Sequence, residues 1–143
     1  LLHNIIINKA DDIGLLRVKR FFREQGMRPQ AAKSDRVYMA LHEDKLLAAL
    51  RLCPFGDNWV LRSMCVESSY RGQGIGRHFL KSLLNVFAET ECYCFAYEHL
   101  VVFYQSTGFK LIEVEQVPLI VAERFRCYQN SGKNVCLMQY RPG

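Results

Sequence analysis

The chain has 143 residues, half of them hydrophobic and 23% charged, with a formal net charge of +5. That length suits one domain with a sizeable core, and the composition is that of a soluble globular protein rather than a disordered or fibrous one. The modest positive charge suits a polyanionic ligand, but Lys and Arg are scattered without a basic run, which argues against a nucleic-acid-binding stripe.

Ile5 to Lys9, short and β-branched, reads as a first strand. Asp11 or Asp12 can cap a helix running to about Met27, with Gly26 near its end. Leu15, Val18, Phe21 and Phe22 form its inner face, and Arg17, Lys19, Arg20, Arg23 and Glu24 its solvated one. Arg28 to Asp35 is a polar, proline-containing connection. Val37 to Leu41 alternates, Glu43-Asp44-Lys45 turns, and Leu46 to Leu52 returns as an antiparallel hairpin. Pro54, Gly56, Asp57 and Asn58 mark the next turn, before an apolar strand from Trp59 to Val66. A helix then shows Ile75, Phe79, Leu80, Leu83, Leu84 and Phe87 on one face, with Arg77, His78, Lys81, Ser82, Asn85 and Glu89 around the rest. Glu91 to Tyr97 reads as a strand, and Leu100 to Thr107 as a short helix capped by Gly108. Lys110 to Val117 reads as another strand. Pro118 to Ser131 has helical spacing at Leu119, Ala122, Glu123 and Arg126, and Asn134 to Tyr140 closes the chain as a strand. No internal repeat or low-complexity tract appears. Antiparallel strands followed by a strand–helix crossover predict a mixed α+β fold, with residues 1–143 as a single domain.

Cys53, Cys65, Cys92, Cys94, Cys127 and Cys136 are dispersed along apolar segments. Cys92-Tyr93-Cys94 lacks a second pair at zinc-finger spacing, so the expectation is buried, reduced thiols, no metal, and a cytoplasmic setting. No secretion signal or membrane span is expected, since the N-terminal stretch has neither a long apolar core nor a basic leader.

The richest stretch is Val66 to Arg77, where a strand feeds a polar turn with alternating Gly72, Gly74 and Gly76 and then a helix. Unpaired N–H groups and the positive end of the helix dipole make such a start an anion site, and glycines let a phosphate approach the backbone. Arg71 and Arg77 add charge. The residues therefore point to a ligand with a pyrophosphate. There is no Gly-Lys-Ser/Thr triplet, and the glycines are spaced G-x-G-x-G rather than G-x-G-x-x-G, so neither a triphosphatase loop nor a dinucleotide fingerprint fits.

Arg71-Gly72-Gln73-Gly74-Ile75-Gly76 does match R/Q-x-x-G-x-G/A, and in this context it resembles the acetyl-CoA loop of the GNAT superfamily of N-acetyltransferases. Phe103-Tyr104-Gln105-Ser106-Thr107-Gly108-Phe109 resembles the F-Y-x-x-x-G-F signature that follows the fifth strand in that family. The resemblance implies a central, mixed, mostly antiparallel sheet flanked by helices, with splayed fourth and fifth strands. It implies an N-acetyltransferase that moves the acetyl group of acetyl-CoA to a primary amine, by direct attack in a ternary complex and without metal. Backbone groups of Met64, Cys65 and Val66 would bond the pantetheine and the acetyl carbonyl. The amides of Arg71, Gly72, Gln73, Gly74, Ile75, Gly76 and Arg77 would hold the pyrophosphate, and Tyr104 would be the general acid for the departing thiolate. The segment between the first helix and second strand would contact the acceptor.

Two departures stand out. Val60 aligns near a position where some members carry a glutamate base, with Arg62 on the same strand face, and Tyr97 replaces a common asparagine. Glu67, Glu98 and His99 are substitutes by position only, and no base is assigned. Cys65 reads as a buried core thiol. The alternative function is a non-catalytic acyl-CoA-binding or sensing module, and a homodimer and the acceptor's identity, small molecule or protein amine, are left open.

Overall fold

In the computed structural model, which describes residues 2–28 and 34–142, seven strands alternate with five helices. The strands are hydrogen-bonded in the order β1-β2-β3-β4-β5-β7-β6. They are β1 (Ile6–Lys9), β2 (Arg36–His42), β3 (Lys45–Phe55), β4 (Asn58–Val66), β5 (Cys92–Tyr97), β6 (Phe109–Leu111) and β7 (Val135–Tyr140). β4 and β5 are parallel, while β1–β2, β2–β3, β5–β7 and β6–β7 are antiparallel. The expected α+β class with a mixed, mostly antiparallel sheet is what the chain adopts. It divides into two compact units, Leu1–Cys53 with Arg62–Leu83, and Pro54–Leu61 with Leu84–Gly143.

In the first unit, α1 (Asp12–Glu24) starts as its capping residue dictates, with the Gly14 N–H donating to Asp11 Oδ1 at 2.7 Å. Val18, Phe21 and Phe22 on one side of α1 pack with Val37, Met39 and Leu41 of β2, and with Ala49 and Cys65. Glu43 and Asp44 both take positive φ, +48° and +65°, which is the mirror-image turn that matches strand twist, and His42 pairs with Lys45. Lys45 thus belongs to β3 rather than to the turn. Arg17 holds the hairpin tip, Nη2 donating to the Asp44 carbonyl at 2.6 Å. β2 and β3 do not alternate in exposure as expected, because Val37–Leu41 and Leu47–Cys53 are buried on both faces. β3 also runs on through Pro54 to Phe55.

The helix expected from Ile75 to Phe87 is broken. α2 (Ile75–Ser82) ends where the Leu83 N–H closes back on the Leu80 carbonyl at 3.1 Å, and a four-residue helix, α3 (Leu84–Phe87), follows in the second unit. Ile75, Phe79, Leu80, Leu83 and Phe87 are buried as expected, but the break turns Leu84 outward, 41% exposed.

In the second unit, α5 (Leu119–Asn130) buries Val121, Ala122 and Phe125, and Val121 and Phe125 pack with Val60, Tyr93, Val135 and Leu137. The buried stripe is offset from the expected one. Leu119 is 68% exposed, and Glu123 and Arg126 face solvent. The strand expected over Lys110–Val117 shrinks to β6, after which Ile112, Val114 and Val117 pack on the same core while the backbone turns at Val114–Gln116. Core burial of alternate apolar side chains gives the strand-like pattern without a ladder. The short helix α4 (Val101–Gln105) leads to Gly108, at φ +106°, where an added Cβ would lie 2.8 Å from Tyr140 Cε1. Only glycine fits that approach.

Cys53, Cys65, Cys92 and Cys94 are buried free thiols, but Cys136 is half-buried and Cys127 exposed. Cys127 lies off the buried stripe of α5, so the expectation of uniformly buried thiols fails there. Among the described residues no helix is long and apolar enough to cross a membrane.

Candidate functional site

All ten residues expected to hold a cofactor lie in the first unit, and Tyr104 lies in the second. β4 ends at Val66, whose carbonyl accepts from Arg71 Nε at 3.0 Å. A single turn (Ser68–Tyr70) follows, capped by Glu67, whose carboxylate accepts from the Ser69 N–H at 2.9 Å and from its hydroxyl at 2.5 Å. Those bonds from Ser69 hold the Glu67 carboxyl below its usual range, aided by Lys45 and Arg71. Gln25, just past α1, accepts from the Ser68 N–H at 3.1 Å and steadies the same turn.

The exposed residues Arg71 to Gly74 then lead into α2. Gly72 and Gly74 have φ of +80° and +82°, and Gly74 is the N-cap with no side-chain cap. An added Cβ would meet no protein atom within 4 Å at Gly72, and only Leu2 Cδ1 at 3.8 Å at Gly74. The glycines are therefore required by backbone angle, and the space beside them is open to a ligand. The first intrahelical bond runs from the His78 N–H to the Gly74 carbonyl at 3.0 Å, leaving the N–H groups of Ile75, Gly76 and Arg77 ahead of the ladder. Ile75 is buried and anchors the turn, while Gln73 and Arg77 are exposed. This donor set, with a dipole end and no Cβ in the way, fits a diphosphate.

Met64 and Val66 are half-buried on β4, and Cys65 is 9% exposed within the first core. Burial pushes the Cys65 thiol up, partly offset by Arg71, whose Nη2 lies 3.7 Å from the sulfur. A protonated thiol facing the core matches its expected structural role. Ser63, inside β4, has φ +58°, an irregularity in the strand just before Met64, Cys65 and Val66.

The β4–β5 ladder pairs Trp59 with Cys92, Val60 with Tyr93 and Leu61 with Cys94, and there it ends although both strands continue. Cys94, at the last rung, lies beside the Tyr104 hydroxyl. Tyr104 is 7% exposed, its ring in edge contact with Phe103 at 5.2 Å and Phe109 at 5.8 Å. Burial pushes its phenol well above the ordinary value, helped by Cys94, and burial pushes the Cys94 thiol up to about 12. Val60 is fully buried. Glu98 accepts from Asn134 Nδ2 at 2.6 Å, and exposed Tyr97 stacks on His99 with centroids 6.1 Å apart. No cluster of metal-ligating side chains occurs among the described residues. Most of the connection expected to contact the acceptor, residues 29–33, lies outside the described residues.

Sequence reasoning missed two tertiary pairings. One is Cys94 with Tyr104. The other is a buried ion pair, Arg51 Nη1 to Asp35 Oδ2 at 2.8 Å, with Arg51 Nε donating to Ser63 Oγ at 3.1 Å. The one available signal was an arginine set in the apolar run Leu46–Leu52.

A glycine-lined helix mouth fed by a central strand, on a mixed sheet in which β4 and β5 run parallel, defines an α+β fold with an open turn at a strand's end. A model of the acetyltransferase (GNAT) domain matches residues 33–111, more than half the chain, and the chain belongs to the GNAT acetyltransferase family. No curated protein matches. Among solved structures, the chain is similar to N-acetylglutamate synthase from Neisseria gonorrhoeae complexed with coenzyme A and N-acetyl-glutamate, at 15% identity and TM-score 0.71, covering 97% of this chain and 35% of that one. It is also similar to Arabidopsis thaliana Naa50 in complex with the bisubstrate analogue CoA-Ac-MVNAL (17%, TM-score 0.67, 95% and 97%) and to Escherichia coli ElaA (20%, TM-score 0.65, 96% and 99%). These likenesses establish the fold. The chain spans about a third of the length of the N-acetylglutamate synthase chains.

Proposed function

We propose that this protein transfers the acetyl group of acetyl-CoA to a primary amine by direct attack in a ternary complex. The observation that carries the reading is the mouth of α2, where two left-handed glycines and three N–H groups ahead of the helical ladder form a diphosphate cradle. Arg71 to Arg77 hold the diphosphate of coenzyme A, and backbone groups of Met64–Val66 bond the pantetheine and the acetyl oxygen. An N–H aimed at that oxygen stabilises it as negative charge develops.

The amine nitrogen bonds to the carbonyl carbon, the carbon–sulfur bond breaks, and the departing thiolate takes the proton of Tyr104. Burial supports that role, because a phenol pushed up from its ordinary value stays protonated at neutral pH. The ammonium formed loses its proton to water, and the Tyr104 phenolate takes a proton back from water, which restores the acid. No base is assigned, since Val60 cannot titrate and Glu67 and Glu98 are each tied to a neighbour.

The test is thiol release from acetyl-CoA with a panel of amines: a polyamine, free amino acids, an aminoglycoside and an N-terminal peptide. At least one should give turnover with stoichiometric acetylated product. Binding of acetyl-CoA with no turnover on any of them would instead support a sensing module.

A further inference from the structure

We propose that Arg51 is a positioning residue for acyl transfer: from within β3 it holds Ser63 in its left-handed conformation and so sets the aim of the backbone donors in Met64–Val66. The inference rests on the role proposed above for that segment. Arg51 is 4% exposed, and the side chains in the ion pair with Asp35 are 5% and 4% exposed. A buried guanidinium is costly unless its charge and its several donors are satisfied. Here Nη1 meets Asp35 at 2.8 Å, and Nε is left to meet Ser63 Oγ at 3.1 Å. The guanidinium is thus fixed at one end and presents a directed donor at the other.

What it meets is the one positive-φ residue inside a strand among the described residues, at +58°. A serine adopts that conformation at a cost, and a conformation of this kind persists only where surrounding contacts over-determine it. Apolar residues of similar volume would fill the space around Arg51 about as well for stability. A charged fork makes sense there as an aiming device. Asp35 directly precedes β2, so one ion pair ties the strand irregularity to the start of β2.

Serine and glycine variants separate positioning from packing. If Arg51 maintains the left-handed residue, Ser63→Ala loses the tether and keeps the conformational cost, so kcat should fall about tenfold with a smaller change in the KM for acetyl-CoA. Ser63→Gly also loses the tether, but glycine adopts positive φ freely, so it should keep most of the turnover. A packing role predicts the opposite order, because glycine weakens a strand more than alanine. Arg51→Met leaves Asp35 unpaired and could unfold the chain. It is therefore made with Asp35→Asn, and adding Ser63→Gly to that pair should restore kcat at unchanged melting temperature. Equal kcat for Ser63→Ala and the unsubstituted protein, or Ser63→Gly as impaired as Ser63→Ala, would overturn the proposal. Gly74→Glu is run alongside. Undiminished acetyl-CoA affinity in that variant removes the phosphate-cradle reading, whereas lost affinity there with a flat Ser63 series removes only the role of Arg51.

Discussion

At the scale of single residues, the proposed transfer turns on whether Tyr104 holds a proton that it can give away. Its ring is fixed by Phe103 and Phe109, and its hydroxyl lies beside Cys94 at the last rung of the β4–β5 ladder. Replacing it with Phe keeps the ring and removes the proton. Tyr104→Phe should therefore lower kcat by about 10²-fold, a typical contribution of general acid catalysis, while acetyl-CoA affinity by calorimetry stays nearly the same. Equal turnover would remove the acid role. Of this arrangement the sequence revealed Tyr104, through its place in the Phe103–Phe109 stretch. It did not reveal Cys94 as its neighbour, because a contact between a strand and a later helix leaves no periodic trace. Arg51 left a faint one, a lone charge in an apolar run, but its partners Asp35 and Ser63 are 16 and 12 positions away. Exposure also predicts thiol chemistry. At pH 8 an alkylating reagent should label Cys127 first, and Cys53, Cys92 and Cys94 last, since burial pushes all three up, Cys53 to about 11 and Cys94 to about 12. Mass mapping that found Cys94 labelled ahead of Cys127 would contradict the burial described for β5.

Among the elements, the turn into α2 was the most legible, because its glycines are dictated by local backbone angles that sequence records directly. Gly74→Glu puts bulk and negative charge on a residue at φ +82°, beside the donors of Ile75, Gly76 and Arg77. Like-charge repulsion at the diphosphate should abolish acetyl-CoA binding, whereas Gly74→Ala, which carries only the backbone cost of about 1–2 kcal/mol, should weaken it. Affinity matched between the two variants would mean the charge never meets a phosphate. The helix itself was legible in its type and not in its length. The apolar spacing continues smoothly through Leu84 and Phe87, and nothing in it marks the tight closure at Leu83. The consequence is measurable. Leu84→Glu, on a residue 41% exposed, should change stability by less than about 1 kcal/mol. Phe87→Ala, fully buried and in ring contact with Phe109 and Tyr140, should cost about 3–5 kcal/mol in urea unfolding. The over-long strand expected at Lys110–Val117 fails for a related reason. Alternation shows which side chains enter a core, and Ile112, Val114 and Val117 do enter it, without saying whether a neighbouring strand is there to pair.

For the molecule as a whole, the buried acids bind its stability to pH in one direction. Cys94 has a folded value of about 12 against an ordinary 9.0, because burial disfavours the thiolate, and Cys92, Cys53 and Tyr104 shift the same way. Between the two values the folded chain holds a proton that the unfolded chain has released, so stability must fall as pH rises. For Cys94 the contribution is whole below about pH 9 and is lost progressively up to about 12, at a limiting slope of about 1.4 kcal/mol per pH unit. Urea midpoints measured at pH 8, 9 and 10 should therefore drop with increasing steepness. Cys94→Ala removes one titrating group, so its midpoint, lower at pH 8 from the lost packing, should fall less steeply and approach that of the unsubstituted protein by pH 10. The Tyr104 hydroxyl then loses its sulfur neighbour, which makes the kinetic reading informative in the same variant. A kcat that keeps its alkaline limb above about pH 10 would assign the protonation of Tyr104 to burial, whereas a limb moved toward neutrality would assign it to the sulfur.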